Sequence, residues 1–321
     1  MDFELSDDQV ALVDGIRSLL QGRFDIEAVR GLEVNGGVDR TRWKELADTG
    51  VFSLVVPESD GGVGLGHGDA VLVFEELGRA LVPGPLVGSF LAAGVIDGAA
   101  SGDTIVGVVE RSESGPVIVE YLGSLDALVV LDHAGAWRVD PRVLDASPLH
   151  QPLDPLTPAW RVAALPAGEQ VGDATLARSW RARGATLTSA LQLGVAEGAC
   201  DLATAYAKQR FQFGKPIGQF QAIKHLCAEM VSRVEVCRAA VYMAGVCLDD
   251  PSVGDPARAA SAARILADNT SSENGKDCVQ IHGGMGYTWE VDAHLYVKRA
   301  WVLATVFGSS DDHAEALAAL L

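Results

Sequence analysis

Residues 210–248 read RFQFGKPIGQFQAIKHLCAEMVSRVEVCRAAVYMAGVCL. From Phe220 onward, Phe220, Ile223, Cys227, Met230, Val234, Cys237, Val241, Ala244 and Leu248 recur at alternating three- and four-residue steps, the spacing of one helix face. An apolar seam of that length needs other helices to cover it, which predicts one member of a four-helix bundle. Leu187, Ala190, Leu191, Gly194, Val195, Gly198 and Leu202 mark a face of the helix before it, and its two glycines would let a neighbouring helix approach closely. On the far side, Asp255-Pro256 reads as a cap with proline at the first helical position, opening an alanine-rich helix from Ala257 to about Cys278.

Further out the pattern changes twice. Ser6 before Asp7-Asp8-Gln9 reads as a helix N-cap. A second helix begins near Thr41, carries Trp43, Leu46 and Ala47, and stops at Gly50; a third starts at about Asp69 and runs through Glu75-Glu76-Leu77-Gly78. Between Thr104 and Val162 the short β-branched runs 104–109, 117–121 and 128–131 read as strands, with room for five or six at most. The fold class is therefore mainly α with a small β domain. The expected division is an N-terminal helical domain over 1–98, a reduced middle β domain over 99–168 and a C-terminal helical bundle over 169–321.

The 321 residues carry a formal net charge of −18 and a mean hydropathy of +0.18, with no charged block resembling a tail. Disorder and nucleic-acid binding are poor readings of such a chain, and an anionic ligand would need a local cationic pocket acting against the overall field. The five cysteines, an odd number with no C-x-x-C pair, read as reduced core thiols with no metal site. The start, Met1-Asp-Phe-Glu-Leu-Ser, lacks the basic and apolar regions of a signal peptide, and no apolar run reaches membrane-spanning length, so the expected location is the cytoplasm.

Three stretches carry a family resemblance. Trp43 to Gly50 with Val55-Val-Pro57, the Gly61-Gly62-Val-Gly64-Leu-Gly66 loop and Glu75-Glu76-Leu77-Gly78-Arg79 is similar to the N-terminal helical domain of acyl-CoA dehydrogenases. Residues 210–221 resemble that family's R-x-x-F-G-x-x-I-x-x-F-Q signature, and Gln280-Ile-His-Gly283-Gly284-Met-Gly286-Tyr287 resembles its Q-x-x-G-G-x-G-Y loop. The resemblance implies the acyl-CoA dehydrogenase fold and FAD as cofactor. It further implies that Arg210 and Phe213 flank the dinucleotide, that Gln221 bonds to it, and that Gln280 with Gly283 and Gly284 lines its adenine end. In that reading the FAD is shared with, and held mainly by, a neighbouring subunit. Arginine suits the pyrophosphate because its guanidinium forks onto two oxygens, and glycines let backbone N–H groups come close.

The reaction implied removes an α-proton while hydride leaves the β-carbon, so it needs a positioned carboxylate. Where the family's usual E-G-T glutamate would stand, this chain has Phe307, in Ala304-Thr-Val-Phe307-Gly308-Ser309. The alternative base position falls at Gly184, followed by Ala185 in place of an arginine. The flavin-facing T-E-P-x-x-G-S-D run has no counterpart between Val95 and Val162, and Trp137 reads as a strand aromatic. No catalytic residue is therefore expected from these positions. Asp311 and Asp312 read as caps of the last helix before they read as surrogate bases, His225 as structural, and His282 as either a ligand contact or a loop filler. Glu75-Glu76 reads as helix surface and packing, Arg79 and Lys44 as solvated.

The implied function is a subunit of an FAD-dependent acyl-CoA dehydrogenase that completes a catalytic partner's FAD site while lacking the glutamate. It is similar to the small subunits of α2β2 enzymes that oxidise steroid side-chain CoA thioesters, with acyl-CoA as substrate and electron-transfer flavoprotein as the implied acceptor. A self-sufficient dehydrogenase with a non-standard base and a non-enzymatic assembly subunit are the alternatives.

Overall fold

The computed structural model describes residues 4–111 and 115–320; Met1, Asp2 and Phe3, where the signal-peptide reading begins, lie outside them. Helix α1 (Asp7–Arg23) opens as the sequence predicts: Ser6 Oγ accepts from the Gln9 backbone N–H at 3.2 Å, and the Gln9 side chain accepts from the Ser6 N–H at 3.1 Å. The short α2 (Ile26–Gly31) precedes α3 (Arg40–Asp48), after which Gly50 takes φ +83°. Helices α4 (His67–Arg79) and α5 (Leu86–Ala92) complete the first part. Every residue of α5 is buried, so its sequence carries no polar face and no visible period.

The middle of the chain forms seven strands among the described residues, where five or six were expected. Strands β1 (Val106–Glu110), β3 (Ala127–Leu131), β4 (Gly135–Val139) and β7 (Glu169–Asp173) make one sheet, in which β1 and β3 are parallel and the other pairs antiparallel. Strands β2 (Val117–Glu120), β6 (Ala159–Val162) and β5 (Ala146–Pro148) make an antiparallel second. Strand β5 has only three residues and β7 is half exposed and polar, so neither shows the β-branched pattern that marks β3. Trp137 lies on β4 at an irregularity in its pairing with β7.

Helix α6 (Ala174–Gln209) then runs for 36 residues. A small hairpin of β8 (Phe211–Gln212) and β9 (Lys215–Pro216) turns the chain into α7 (Gln221–Asp249), followed by α8 (Pro256–His282), α9 (Ala293–Leu303) and α10 (Ser310–Ala318). The predicted seam of α7 is buried at Met230, Val234, Cys237, Val241 and Ala244. All five cysteines are free thiols, and only Cys227 is not buried. Among the described residues no helix is long and apolar enough to cross a membrane, and no group of His, Cys, Asp and Glu is arranged to hold a metal ion.

Glycine sets the central contact. A Cβ at Gly194 would lie 1.8 Å from the Glu75 carbonyl oxygen, and one at Gly78 2.0 Å from that of Leu191, so α4 and α6 meet backbone to backbone. Glu75 and Glu76 beside this contact are buried ion-pair partners, not surface groups. Glu75 accepts from Arg238 (3.0 Å) and the Tyr242 hydroxyl (2.8 Å), and Glu76 from Arg17 (2.6 Å). Arg79 and Lys44, expected to be solvated, are also engaged. Arg79 Nε is 3.0 Å from Asp201, and Lys44 Nζ donates to Asp103 (3.0 Å) and the Ser101 carbonyl (2.7 Å).

Gly194→Ala is expected to destabilise the chain by about 3 kcal/mol or more, because the added methyl overlaps backbone that cannot yield. Gly15→Ala on the exposed face of α1, where a Cβ meets nothing within 4 Å, should instead gain roughly 0.5–1 kcal/mol. Urea melts of the two variants check the pair; equal effects would remove the close-approach argument.

Candidate functional site

The residues of the two signature loops gather at one end of the bundle. Arg210 caps the C-terminus of α6, Phe213 sits at the tip of the β8–β9 hairpin with φ +51°, and Gln221 starts α7. Gln280 is in the last turn of α8, and Gly283 caps that helix with φ +64°. All six, Gly284 included, are exposed. What joins the loops lies beneath them: the Tyr206 ring on α6 stacks on His282 of α8, centroids 4.1 Å apart, over a small apolar cluster that includes Ala207, Ile217, Cys278 and Ile281. His282 is therefore a loop filler, buried with Nδ1 2.8 Å from the Cys278 carbonyl oxygen, and His225 is exposed on α7.

This end is suited to an anionic, partly apolar ligand. Lys208, Arg210, Lys215 and Lys224 crowd together in sequence, and none makes an ion pair among the described residues. In a chain of net charge −18 they are a local group of cations acting against the overall field. Phe213 is 92% and Tyr287 81% exposed, so large apolar surface stands uncovered beside the cations. The glycines divide by role. Gly283 needs its positive φ, Gly286 is held by a Cβ distance of 2.6 Å to the Val279 carbonyl, and Gly284 has neither constraint within the chain.

The two positions at which the sequence reading looks for a base, Phe307 and Gly184, lie elsewhere, and they meet. A Cβ at Gly184 would lie 2.4–2.6 Å from the Phe307 ring, so that aromatic packs directly on the α6 backbone where the glycine leaves room. Phe307 is buried with φ +54°, an expensive conformation for a bulky residue that its surroundings must hold. Arg264 does so. Fully buried on α8, it donates through Nη2 to the carbonyls of Leu303 (2.6 Å), Val306 (3.0 Å) and Gly308 (3.3 Å), and through Nη1 to Asp268 (2.5 Å) and Gln192. His313 Nε2 lies 2.9 Å from the Phe307 carbonyl oxygen. Asp312 accepts from the Ser309 N–H (2.8 Å) and hydroxyl (2.7 Å), bonds that hold its carboxyl below the usual range; with Asp311 it starts α10.

Phe307 also forms part of the wall of a cavity of about 1000 Å³ between the β strands, α5 and the segment after α9. Val87, Ile118, Leu153 and Trp301 give it apolar walls. A carboxyl that the sequence reading passed over, Glu120 on β2, opens into it. Burial pushes that carboxyl up to about 7, against the pull of Arg299 and with a push from Asp154. Asp154 and Arg299 form a buried pair at 2.6 Å. An arginine inside the apolar run Ala293–Leu303 was the available sequence signal, and Glu120 ending a β-branched strand was the other.

Residues 6–102 match the family model for the acyl-CoA dehydrogenase N-terminal domain, and residues 177–321 that for the acyl-CoA dehydrogenase C-terminal domain. The acyl-CoA dehydrogenase IpdE2 of Mycolicibacterium smegmatis is 33% identical over 312 residues, covering 95% of this chain and 96% of that protein. The acyl-CoA dehydrogenase FadE34 of Mycobacterium tuberculosis is 35% identical across 92% of this chain, which spans only 44% of that relative's length. In fold, the ChsE4–ChsE5 complex from Mycobacterium tuberculosis contains a chain that superposes with a TM-score of 0.87 at 24% identity, covering 99% of this chain and 98% of that one.

Two outcomes follow from the buried charges. Arg264→Met strands Asp268 and three carbonyls and should cost about 3–5 kcal/mol in a denaturant melt. For Glu120, a carboxyl raised in the folded chain contributes stability that is full below its ordinary 4.5 and is lost as pH rises through about 7. Glu120→Gln should therefore match the parent near pH 4 and exceed it by about 3 kcal/mol at pH 8. A stability difference independent of pH would contradict the assignment.

Proposed function

The chain belongs to the acyl-CoA dehydrogenase family, and from that premise we propose that it is a subunit of an FAD-dependent heteromer which grips a partner's cofactor and contributes no base of its own. The observation that carries this is the geometry of α6. Gly184 and the end of the helix beside Arg210 lie on one unbroken helix, roughly 40 Å apart at 1.5 Å per residue. One dinucleotide cannot reach from the Arg210 end to the Phe307 position of the same chain, so the cationic end serves a reaction centre in another polypeptide.

The residues at that end fit the group. Arg210 has no competing carboxylate, its guanidinium matches a pyrophosphate, and the backbone around Gly283 and Gly284 is open to close approach. Phe213 and Gln221 flank the cleft, and Gln280 stands at its adenine side. When bound, FAD supplies the hydride acceptor for α,β-dehydrogenation of an acyl-CoA thioester; this chain orients its dinucleotide half and shields it from water. At the other end, the Phe307 ring over Gly184 leaves no carboxylate at either base position, and Asp312 is committed to its helix cap. The heteromeric reading draws support from the ChsE4–ChsE5 complex among the fold relatives, and an α2β2 arrangement with cytoplasmic location is the form we infer.

Flavin counting tests the proposal. The chain alone is expected to retain little FAD and to oxidise no acyl-CoA, with both appearing on co-expression with a full-length family partner. In that complex Arg210→Ala should weaken FAD retention roughly 10- to 100-fold, the loss of a charge-assisted fork. Stoichiometric flavin and turnover in the lone chain would favour self-sufficiency, and unchanged retention in Arg210→Ala would favour an assembly role.

A further inference from the structure

Behind Glu120 the cavity continues into a recess of about 30 Å³, closed by Tyr121, Thr157, Leu191 and Arg299 among others. That volume accommodates one oxygen-sized group. Arg299 is 6% exposed, and its donors are mostly committed. Nε donates to Asp154, and Nη1 to the Leu81 (3.3 Å) and Val82 (3.2 Å) carbonyls. Its Nη2 has no partner among the described residues, a buried donor that costs free energy as it stands. The Glu120 side chain makes no hydrogen bond among the described residues and is partly open toward the cavity. An unpaired donor and an unpaired carboxyl thus line one recess beside a chamber whose walls at Val87, Ile118, Leu153 and Trp301 are apolar.

We infer that this chain's own cavity binds an apolar molecule whose inner tip is a neutral oxygen, a ketone or hydroxyl, seated in the recess between Glu120 and Arg299. The charges around the recess select against an anion. Asp154 already neutralises Arg299, and Glu120 would stand beside a ligand carboxylate; in the wider cavity Glu110 and Asp312 line the wall, and the cation there, Arg111, is paired with Asp132 at 3.5 Å. A neutral oxygen accepts from Arg299 Nη2 and from the acid form of Glu120, and a hydroxyl can return a donor to the carboxyl. The groups facing Glu120 are Arg299 from α9, Asp154 from the segment before β6 and Tyr121, the residue that follows β2; burial raises the Tyr121 hydroxyl to about 12. The recess touches α6 at Leu191 and Val195, roughly 20 Å or more short of Arg210 at 1.5 Å per residue, so the inference does not depend on the proposed grip at that end.

The test is calorimetric titration of the purified chain, without flavin, with 2-decalone and with decalin-2-carboxylate. The ketone should bind at pH 6, with the carboxylate at least about tenfold weaker. Glu120→Leu should weaken the ketone about tenfold, whereas Glu120→Gln, whose amide still donates, should stay within about threefold. The parent's affinity for the ketone should fall as pH rises through 7, and that of Glu120→Gln should not. Absence of ketone binding up to its solubility would mean that the recess holds water only and would overturn the inference. Tighter binding of the carboxylate, an unchanged affinity in Glu120→Leu, or a pH-independent parent would overturn it as well. Should Glu120→Leu not fold, the pH profiles of the parent and Glu120→Gln still decide.

Discussion

A single buried guanidinium fixes the shape of the segment that carries Phe307. Arg264 costs a great deal to desolvate, and it remains inside because Asp268, Gln192 and three backbone carbonyls receive its protons. Only its Nε lacks a partner among the described residues. Those carbonyls belong to the segment that follows α9, so the ion fastens that segment to α6 and α8 and holds Phe307 in a left-handed conformation. The ring then has one place to lie, on the bare backbone of Gly184. Where the Phe307 ring lies is thus decided by a charge network bound to the backbone on either side of it.

Much of this was legible in the sequence, and the reasons are local. The α7 seam, the Ser6 and Asp255 caps and the glycines of α6 each express a short-range rule, and each stands where the residues put it. Gly194 was marked as a point of close approach, but its partner, the Glu75 carbonyl, is a long-range fact that no periodicity reveals. The same limit explains the misreadings. Glu75, Glu76 and Arg79 look like a solvated helix face until Arg238, Tyr242, Arg17 and Asp201 arrive from elsewhere in the chain. Strands β5 and β7 are too short or too polar to show alternation, and α5 is too uniformly apolar to show a period.

The site divided in the same way. Arg210, Phe213 and the Gly283 loop carry a recognisable order of residues, and their shared position at one end of the bundle follows from three consecutive antiparallel helices. Glu120, Asp154 and Arg299 come from a strand, a loop and a helix with no common motif, so only the folded chain brings them together. Three of the arginines contrast. Those at 264 and 299 are buried and donate inward to hold backbone, while that at 210 is exposed and donates to no acceptor among the described residues. The first kind maintains shape; the second is left available for something outside the chain.

The unbroken run of α6 also limits how such a chain can change over time. Because the cationic end and the Phe307 end sit on one rigid rod, inserting a single residue between them would rotate everything beyond it by about 100° and advance it by 1.5 Å. Gly194 and Gly198 would then swing off α4, and Arg210 would turn to another side of the bundle. Loops elsewhere can lengthen or shorten at little cost, but this helix is a ruler whose length cannot drift by one residue without losing either its seat or its reach.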